Sequence, residues 1–148
     1  PMTEEQLSDI EAIKVLKARY FRTMDNKEWS GLQNCFTEDL HADFRDAPGM
    51  LSEGRENYMT ALKAALNDAR TVHHGHMPEI TLEDASNATG IWAMEDWVEL
   101  PGISLRGWGH YHERYRKEDG VWRIATIRLT RLRLIMNGEE HAVAAATA

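Results

Sequence analysis

The sequence has 148 residues, close to the roughly 150 residues of an ordinary single domain, so one hydrophobic core is expected. Hydrophobic residues make up 43% of the chain, but no apolar run approaches the ~20 residues that a membrane-spanning helix needs, which argues against a transmembrane protein. The formal net charge of −7 argues against nucleic-acid binding, and the single cysteine, Cys35, excludes internal disulfides and CxxC motifs.

The N-terminal part of the chain predicts helices. Thr3 and Gln6 have the spacing of a capping box, and apolar residues then recur every three or four positions. Acidic residues stand where a signal peptide needs a basic start, so a cytoplasmic location is expected. In this part we expect four elements: helix 4–24, helix 28–36, strand 40–45 and helix 55–66.

From Val72 onward the sequence changes to strands separated by short turns, which is typical of an antiparallel meander. Glycines inside these strands mark bulges, bends or close approaches, so strongly curved strands are expected. The predicted strands are 72–82, 88–100, 103–117 and 121–136.

The predicted fold class is α+β. A curved antiparallel sheet wraps around three N-terminal helices and forms a cone-shaped barrel, whose open mouth is a usual place for a small-molecule pocket. Residues 1–136 make up this single domain, and residues 137–148, which show no periodic face, are expected to form a flexible tail.

Two groups of residues are candidates for a catalytic or metal-binding site. Tyr20 and Asp25 lie near the end of the first helix, and their side chains converge on a pocket only if the helix ends between them. The segment from His73 to His76 holds three histidines, in which alternation places His73 opposite His74 and His76. The alternatives are a core tyrosine with a turn aspartate, and a metal site formed by His74, His76 and Glu79.

The later strands carry further candidates. Asp96 shares one face of its strand with Trp92 and Met94, where a carboxylate is uncommon unless it is paired or functional. Arg128 lies in the middle of the last strand and either faces the pocket or lies at a subunit interface. Alternation places Tyr111 on the face opposite to His110 and His112, the two histidines that we expect at an interface.

No GxSxG, P-loop, dinucleotide-binding or HExxH motif occurs, so serine hydrolases, nucleotide enzymes and zincins have no support. Several short segments do resemble one family, the SnoaL-like branch of the nuclear transport factor 2-like superfamily, over about residues 5 to 134. These segments are Asp25-Asn26-Lys27-Glu28-Trp29, Phe36-Thr37-Glu38-Asp39, Val72-His73-His74, Pro78-Glu79-Ile80 and Asp119-Gly120-Val121-Trp122-Arg123-Ile124.

The resemblance implies a cone-shaped barrel with an Asp and His pair. Its nearest branch includes scytalone dehydratase, a bile acid dehydratase and a dehydrochlorinase, which are cofactor-free lyases. Carried over by position, His73 is the catalytic base and Asp25 orients it. Tyr20 is a third catalytic residue, which polarises the substrate oxygen or donates a proton to the leaving hydroxyl, and Asp96 is a supporting pocket residue. The last-strand arginine of the pattern is carried over to Arg128.

Three positions depart from the scytalone dehydratase pattern. Met24 and Phe44 stand where that enzyme has two tyrosines, and Trp92 stands where it has a second pocket histidine. The substrate and proton relay of that enzyme therefore do not transfer. With Tyr111, these three side chains are expected to form pocket walls suited to an aromatic or polycyclic compound.

The expected function is that of a cofactor-independent and metal-independent lyase of the dehydratase type. The alternatives are retro-aldol cleavage that releases a small aldehyde, isomerisation, polyketide cyclisation, and non-catalytic binding of a small molecule. The expected partners are a small-molecule substrate and further copies of the chain, in a homotrimer or a homodimer. The aromatic outer face that carries Trp108, His110 and His112 would be covered by another subunit.

Overall fold

The computed structural model describes residues 1–144. Three helices precede or interrupt the early strands, and four long strands follow. The elements are α1 (Glu4–Asp25), α2 (Trp29–Gln33), β1 (Phe36–Asp43), β2 (Leu51–Glu53), α3 (Arg55–Leu66), β3 (Arg70–Leu82), β4 (Asn87–Leu100), β5 (Ile103–Glu118), β6 (Val121–Met136) and β7 (Glu139–His141).

Helix α1 begins where the sequence predicts it. The Thr3 hydroxyl accepts the Gln6 backbone N–H, and the Gln6 side chain accepts the Thr3 N–H, so two of the free donors at the helix start are satisfied. One face of α1 is buried, and it includes Ile13, Leu16 and Tyr20. Helix α1 packs mainly on β3 and α2 and to a lesser extent on β6, and the last turn of α1 lies beside the start of β3.

The seven strands form one sheet in the order β2-β1-β6-β5-β4-β3, and β7 pairs with the far end of β6. The β3 to β6 part is the expected antiparallel meander. Strand β1, however, runs parallel to β6 and begins at Phe36, because α2 ends at Gln33 rather than at residue 36. The short strand β2, which the sequence pattern did not indicate, pairs with β1.

The sheet is curved and unclosed, and the fold is the α+β cone expected from the sequence. Its ladders are interrupted by bulges on β3 and β6, and a bulge adds a residue to one strand and increases its local bend. On β6 the interruptions leave Ala125 and Leu132 without direct partners on β5. The inner face of the curved sheet and the helices together enclose the hydrophobic core.

The first part of the predicted tail pairs with the sheet. A turn at residues 137–138 leads into β7, in which Glu139–His141 pair with Leu134–Met136. The Ala144 backbone N–H then donates to Asp46, at 3.2 Å. Residues 145–148 of the predicted tail lie outside the described residues. Within the described chain, none of the helices combines the length and the apolar character needed to span a bilayer.

Candidate active site

Asp25 and His73 form a hydrogen-bonded pair between α1 and β3. The His73 Nδ1 atom lies 2.7 Å from Asp25 Oδ1, and the His73 backbone N–H donates to Asp25 Oδ2 at 2.9 Å. The Thr71 hydroxyl also donates to Asp25 Oδ1, at 2.9 Å. Because Asp25 is the last residue of α1, its carboxylate turns toward β3 and is held by three donors from that strand.

The Asp25 carboxylate is stabilised in its charged form. Burial raises its pKa, but the hydrogen bonds from the His73 ring, the His73 backbone and Thr71 outweigh burial, so the pKa lies below its ordinary value. Lys27 adds a positive charge close by, since its ammonium donates to the Thr71 hydroxyl at 2.8 Å. An ionised Asp25 keeps the proton on His73 Nδ1 and leaves Nε2 unprotonated when the ring is neutral.

A cavity of about 300 Å³ opens beside His73, enclosed by the helices, the inner face of the sheet and the loop after β1. Its wall is largely apolar, with a few polar side chains, which is the usual character of a small-molecule site. The lining residues that bear on the argument are Tyr20, Met24, Phe44, Tyr58, Tyr111 and Leu129.

Three tyrosines from three different elements line this cavity: Tyr20 from α1, Tyr58 from α3 and Tyr111 from β5. Burial raises the pKa of each phenol, and for Tyr20 and Tyr111 the increase is large. All three therefore remain protonated near neutral pH and can act as hydrogen-bond donors. The sequence indicated Tyr20 and Tyr111 but not Tyr58, whose ring stacks on Phe44 with a centroid distance of 5.7 Å.

Asp96 lies directly across from His73 in the β3 and β4 ladder, and it is paired with Arg131. The two guanidinium nitrogens donate to the two carboxylate oxygens at 2.6 and 3.0 Å. Arg131 also donates from Nε to the Ala47 carbonyl at 3.1 Å, which ties the pair to the loop over the cavity. Both side chains are almost fully buried, and both residues line the cavity.

The expectation for Arg128 is corrected, because Arg128 lies on the outer face of the sheet and Arg131 lies inside. Strict alternation places Arg128 on the same side as Trp122 and Ile124. The bulge at Ala125 exchanges the two faces, so that Ile127, Leu129 and Arg131 point inward beyond it.

Two glycines on β5 are the sequence feature that could have indicated an inward side chain at Arg131. A Cβ atom on Gly107 would lie 2.1 Å from Arg131 Nη1, and one on Gly109 would lie 1.8 Å from the Thr130 carbonyl oxygen. A strand that has glycines at two inward positions leaves room for a large side chain from its neighbour.

The expectation for Trp92 is also corrected. Its side chain is buried in the core and is not part of the cavity wall, because its Nε1–H donates to the Tyr115 hydroxyl at 2.9 Å. Met24, Phe44 and Tyr111, by contrast, lie on the cavity wall where the sequence placed them.

The alternative metal site does not assemble. His74 and His76 lie on the exposed outer face, and the carboxylate near both is Glu95, at 3.5 and 3.6 Å, rather than Glu79. Glu79 lies beyond the bulge that interrupts β3 after His76. Within residues 1–144, no group of three or more histidine, cysteine or carboxylate side chains is placed to hold a metal ion.

Known proteins share this fold with the chain. The SnoaL-like domain family matches residues 5–128. A candidate scytalone dehydratase from Novosphingobium aromaticivorans is 22% identical, with 99% of each chain covered and a TM-score of 0.82. A protein of unknown function from Mycobacterium tuberculosis, Rv3472, is 31% identical over 89% of this chain and 76% of its own, with a TM-score of 0.77. A type 2 hexachlorocyclohexane dehydrochlorinase (LinA) is 17% identical over 97% of this chain and 98% of its own, with a TM-score of 0.80.

Proposed function

The chain belongs to the SnoaL-like domain family of the nuclear transport factor 2-like superfamily, and from this premise we propose that it is a cofactor-independent lyase of the dehydratase type. Its substrate is an aromatic or polycyclic hydroxy compound in which a carbonyl or phenol activates the neighbouring C–H bond. The observation that carries the proposal is the hydrogen bond between Asp25 and His73 at the edge of an apolar cavity.

His73 is the general base in this reaction. Asp25 holds the proton on Nδ1, so Nε2 presents a lone pair to the substrate and removes the proton next to the activating oxygen. The carboxylate also stabilises the imidazolium that forms. A positioned base of this kind contributes ~10²–10⁴-fold to the rate, without a metal ion or a nucleotide.

Tyr20 and Arg131 assist where negative charge develops. The protonated Tyr20 phenol donates a hydrogen bond to the substrate oxygen as the enolate or phenolate forms. The Arg131 guanidinium, held by Asp96, places positive charge in the cavity wall and takes the role that the resemblance assigned to Arg128. The leaving hydroxide takes up the proton that His73 accepted, directly or through Tyr20, so water departs and the enzyme returns to its starting state.

Two solved relatives support elimination chemistry on this fold. One is named as a candidate dehydratase and the other as a dehydrochlorinase, and both names describe loss of a hydrogen together with a neighbouring leaving group. Both proteins share less than a quarter of their residues with this chain, so they support the reaction class through the fold and leave the substrate open.

The test is a screen of aromatic and polycyclic β-hydroxy carbonyl compounds, with the products identified by mass spectrometry. Dehydration yields the unsaturated product and water, whereas retro-aldol cleavage yields a small aldehyde. His73→Ala and Asp25→Asn should each lose ~10²–10⁴-fold in kcat, because one removes the base and the other presents an amide that disfavours the correct tautomer.

The matched control is His74→Ala, which removes the neighbouring imidazole on the exposed outer face. This variant should retain the activity of the unmodified protein, and a chelator should leave the rate of the unmodified protein unchanged. Full activity in His73→Ala, or recovery of chelator-treated protein only on addition of zinc, iron or manganese, would show that the proposed mechanism is wrong.

A further inference from the structure

A buried ion pair lies behind the tyrosines of the cavity. The Lys17 ammonium donates to Glu113 Oε2 at 2.6 Å, and both side chains have no exposed surface. Glu113 Oε1 accepts the Tyr115 hydroxyl at 2.6 Å, so both oxygens of this carboxylate are occupied. Neither Lys17 nor Glu113 lines the cavity, and the proposed reaction makes no use of them.

The Lys17 ammonium is in contact with two of the cavity tyrosines. It lies 3.7 Å from the centroid of the Tyr20 ring and 3.6 Å from that of the Tyr111 ring. These two rings meet edge to face, with their centroids 5.9 Å apart. The cation is therefore held between the ring faces of two residues whose side chains form part of the cavity wall.

This arrangement is costly for a purely structural role. Taking two charges out of water carries a large desolvation penalty, and apolar side chains of similar volume often stabilise a core as well or better. Burial is also the main reason that the pKa of Lys17 falls to about 8, while Glu113 opposes the decrease. The Glu113 carboxylate acts in the opposite direction, because it adds to burial in raising the pKa of Tyr20 and Tyr111 and so keeps both phenols protonated. The Lys17 ammonium, which is in direct contact with the two ring faces, favours negative charge beyond the hydroxyls, where a ligand oxygen would accept from them.

We propose that Lys17 is a positioning residue that braces the Tyr20 and Tyr111 rings and polarises their hydroxyls toward a ligand oxygen, so that the cavity selects ligands whose oxygen gains negative charge. This inference rests on the proposed function, because it names the substrate class of the same site: planar compounds with a phenol or enolisable carbonyl oxygen. Lys17 acts through the two tyrosines and does not touch the substrate.

The probe is 4-nitrophenol, whose phenolate absorbs visible light and whose neutral phenol does not. Protein in excess is titrated with base, and the absorbance reports the pKa of the bound phenol without any turnover. The Lys17→Met/Glu113→Gln double variant removes both charges and conserves volume, so no unpaired buried charge remains. The pKa of bound 4-nitrophenol should be about one unit higher in this variant, which is roughly a tenfold loss of preference for the phenolate.

The matched control is Lys117→Met. Lys117 is also paired with an acid, Asp9, at 3.1 Å, and lies near Trp122, but neither it nor its partner lines the cavity. This control should leave the pKa of bound 4-nitrophenol unchanged. Nitrobenzene, which lacks the hydroxyl, controls for a change of cavity shape, since such a change would alter the affinity for nitrobenzene as well as for 4-nitrophenol. We expect nitrobenzene to bind the unmodified protein and the double variant with equal affinity.

An unchanged pKa of bound 4-nitrophenol in a folded double variant would overturn the proposal, as would a failure of 4-nitrophenol to bind the unmodified protein. If the double variant does not fold, Tyr20→Phe and Tyr111→Phe are titrated instead, since each variant keeps the aromatic ring and removes one hydrogen-bond donor. Each should raise the pKa of the bound phenol, and no shift in either would leave Lys17 without a route to the ligand. Loss of the proposed lyase activity is a separate result, because this titration requires only binding.

Discussion

Asp25 shows how single residues of this protein are held by their partners. It accepts hydrogen bonds from the His73 ring, the His73 backbone and the Thr71 hydroxyl, and these exist only when α1 and β3 are in contact. The carboxylate is therefore both part of the proposed site and a link between two elements. Its protonation should weaken the folded state.

The pH dependence of stability tests this link. The pKa of Asp25 is lower in the folded protein than the ~3.9 of an unfolded chain, so the unfolded state binds more protons as the pH falls. The stabilisation is complete well above pH 4 and is lost as the pH falls through the folded pKa. Urea unfolding of the unmodified protein and Asp25→Asn should give free energies that differ at pH 6 and converge at the lowest pH. A difference that stays constant with pH would contradict the assignment.

Asp96 and Arg131 give a second prediction at the residue scale. Asp96→Ala leaves the Arg131 guanidinium buried without its carboxylate, which typically costs about 3–5 kcal/mol. Arg19→Ala is the matched control, because that arginine is exposed on α1, away from the outer face of the sheet, and its loss should change stability by about 0.5 kcal/mol or less. Both values come from chemical denaturation monitored by circular dichroism. Equal destabilisation by the two variants would contradict the inward placement of Arg131.

At the scale of elements, the pairing of β5 with β6 determines the shape of the site. The ladder shifts between Trp108 and Gly109 and again between Arg114 and Tyr115. Each shift changes which β6 side chains face the helices: the one at Ala125 places Leu129 and Arg131 in the cavity wall, and the one at Leu132 brings Met136 to it. Glycine on β5 allows the backbone of β6 to approach at the first of these shifts.

Gly109→Ala tests this close approach. The added Cβ would lie 1.8 Å from the Thr130 carbonyl oxygen, a contact with backbone that a rotamer change cannot relieve. We expect the variant to lose about 1–3 kcal/mol or more of stability, because the strands must separate. Ser104→Ala, an exposed position on the same strand, is the control and should melt close to the unmodified protein. A thermal melt of Gly109→Ala that matches this control would refute the close approach.

At the scale of the whole molecule, the outer face of the sheet carries half-buried aromatic groups. Trp108 lies between the guanidinium groups of Arg106 and Arg133, each 5.5 Å from its ring centroid. The rings of His110 and His112 lie 6.3 Å apart on the same face. Aromatic and arginine side chains are enriched at the centres of protein interfaces, which agrees with the expected assembly of several subunits.

We expect this face to form the contact between copies of the chain in a homotrimer or a homodimer. Light scattering coupled to size-exclusion chromatography should give the mass of two or three chains at micromolar concentration. Trp108→Asp should shift the protein toward the monomer, because it replaces the aromatic centre of the patch with a charge that is costly to bury. The control is Ile103→Asp, on an exposed position at the start of the same strand, which should leave the mass unchanged. A monomer in the unmodified protein would contradict the prediction.

Much of the fold was readable from local sequence patterns. The capping box predicted the start of α1. The spacing of apolar residues and the turn residues predicted α3 and β6 with their observed bounds and the other long strands to within two residues. Alternation correctly placed His73 on the face opposite to His74, Asp96 on a buried face and His110 on the outer face, but it did not say which of the two β3 faces points inward. These features depend on neighbours in the chain, so a single sequence carries them. The pairing of Asp25 with His73 came from resemblance to a family, and the structure shows the hydrogen bond.

The tertiary structure alone decided which side chains meet. The bulge at Ala125 placed Arg131 rather than Arg128 in the cavity, and the hydrogen bond to Tyr115 drew Trp92 into the core. The parallel pairing of β1 with β6, and the return of the chain as β7, also depend on distant partners. A period of two can be counted along one strand, but the position at which an extra residue enters is determined by the strand that pairs with it.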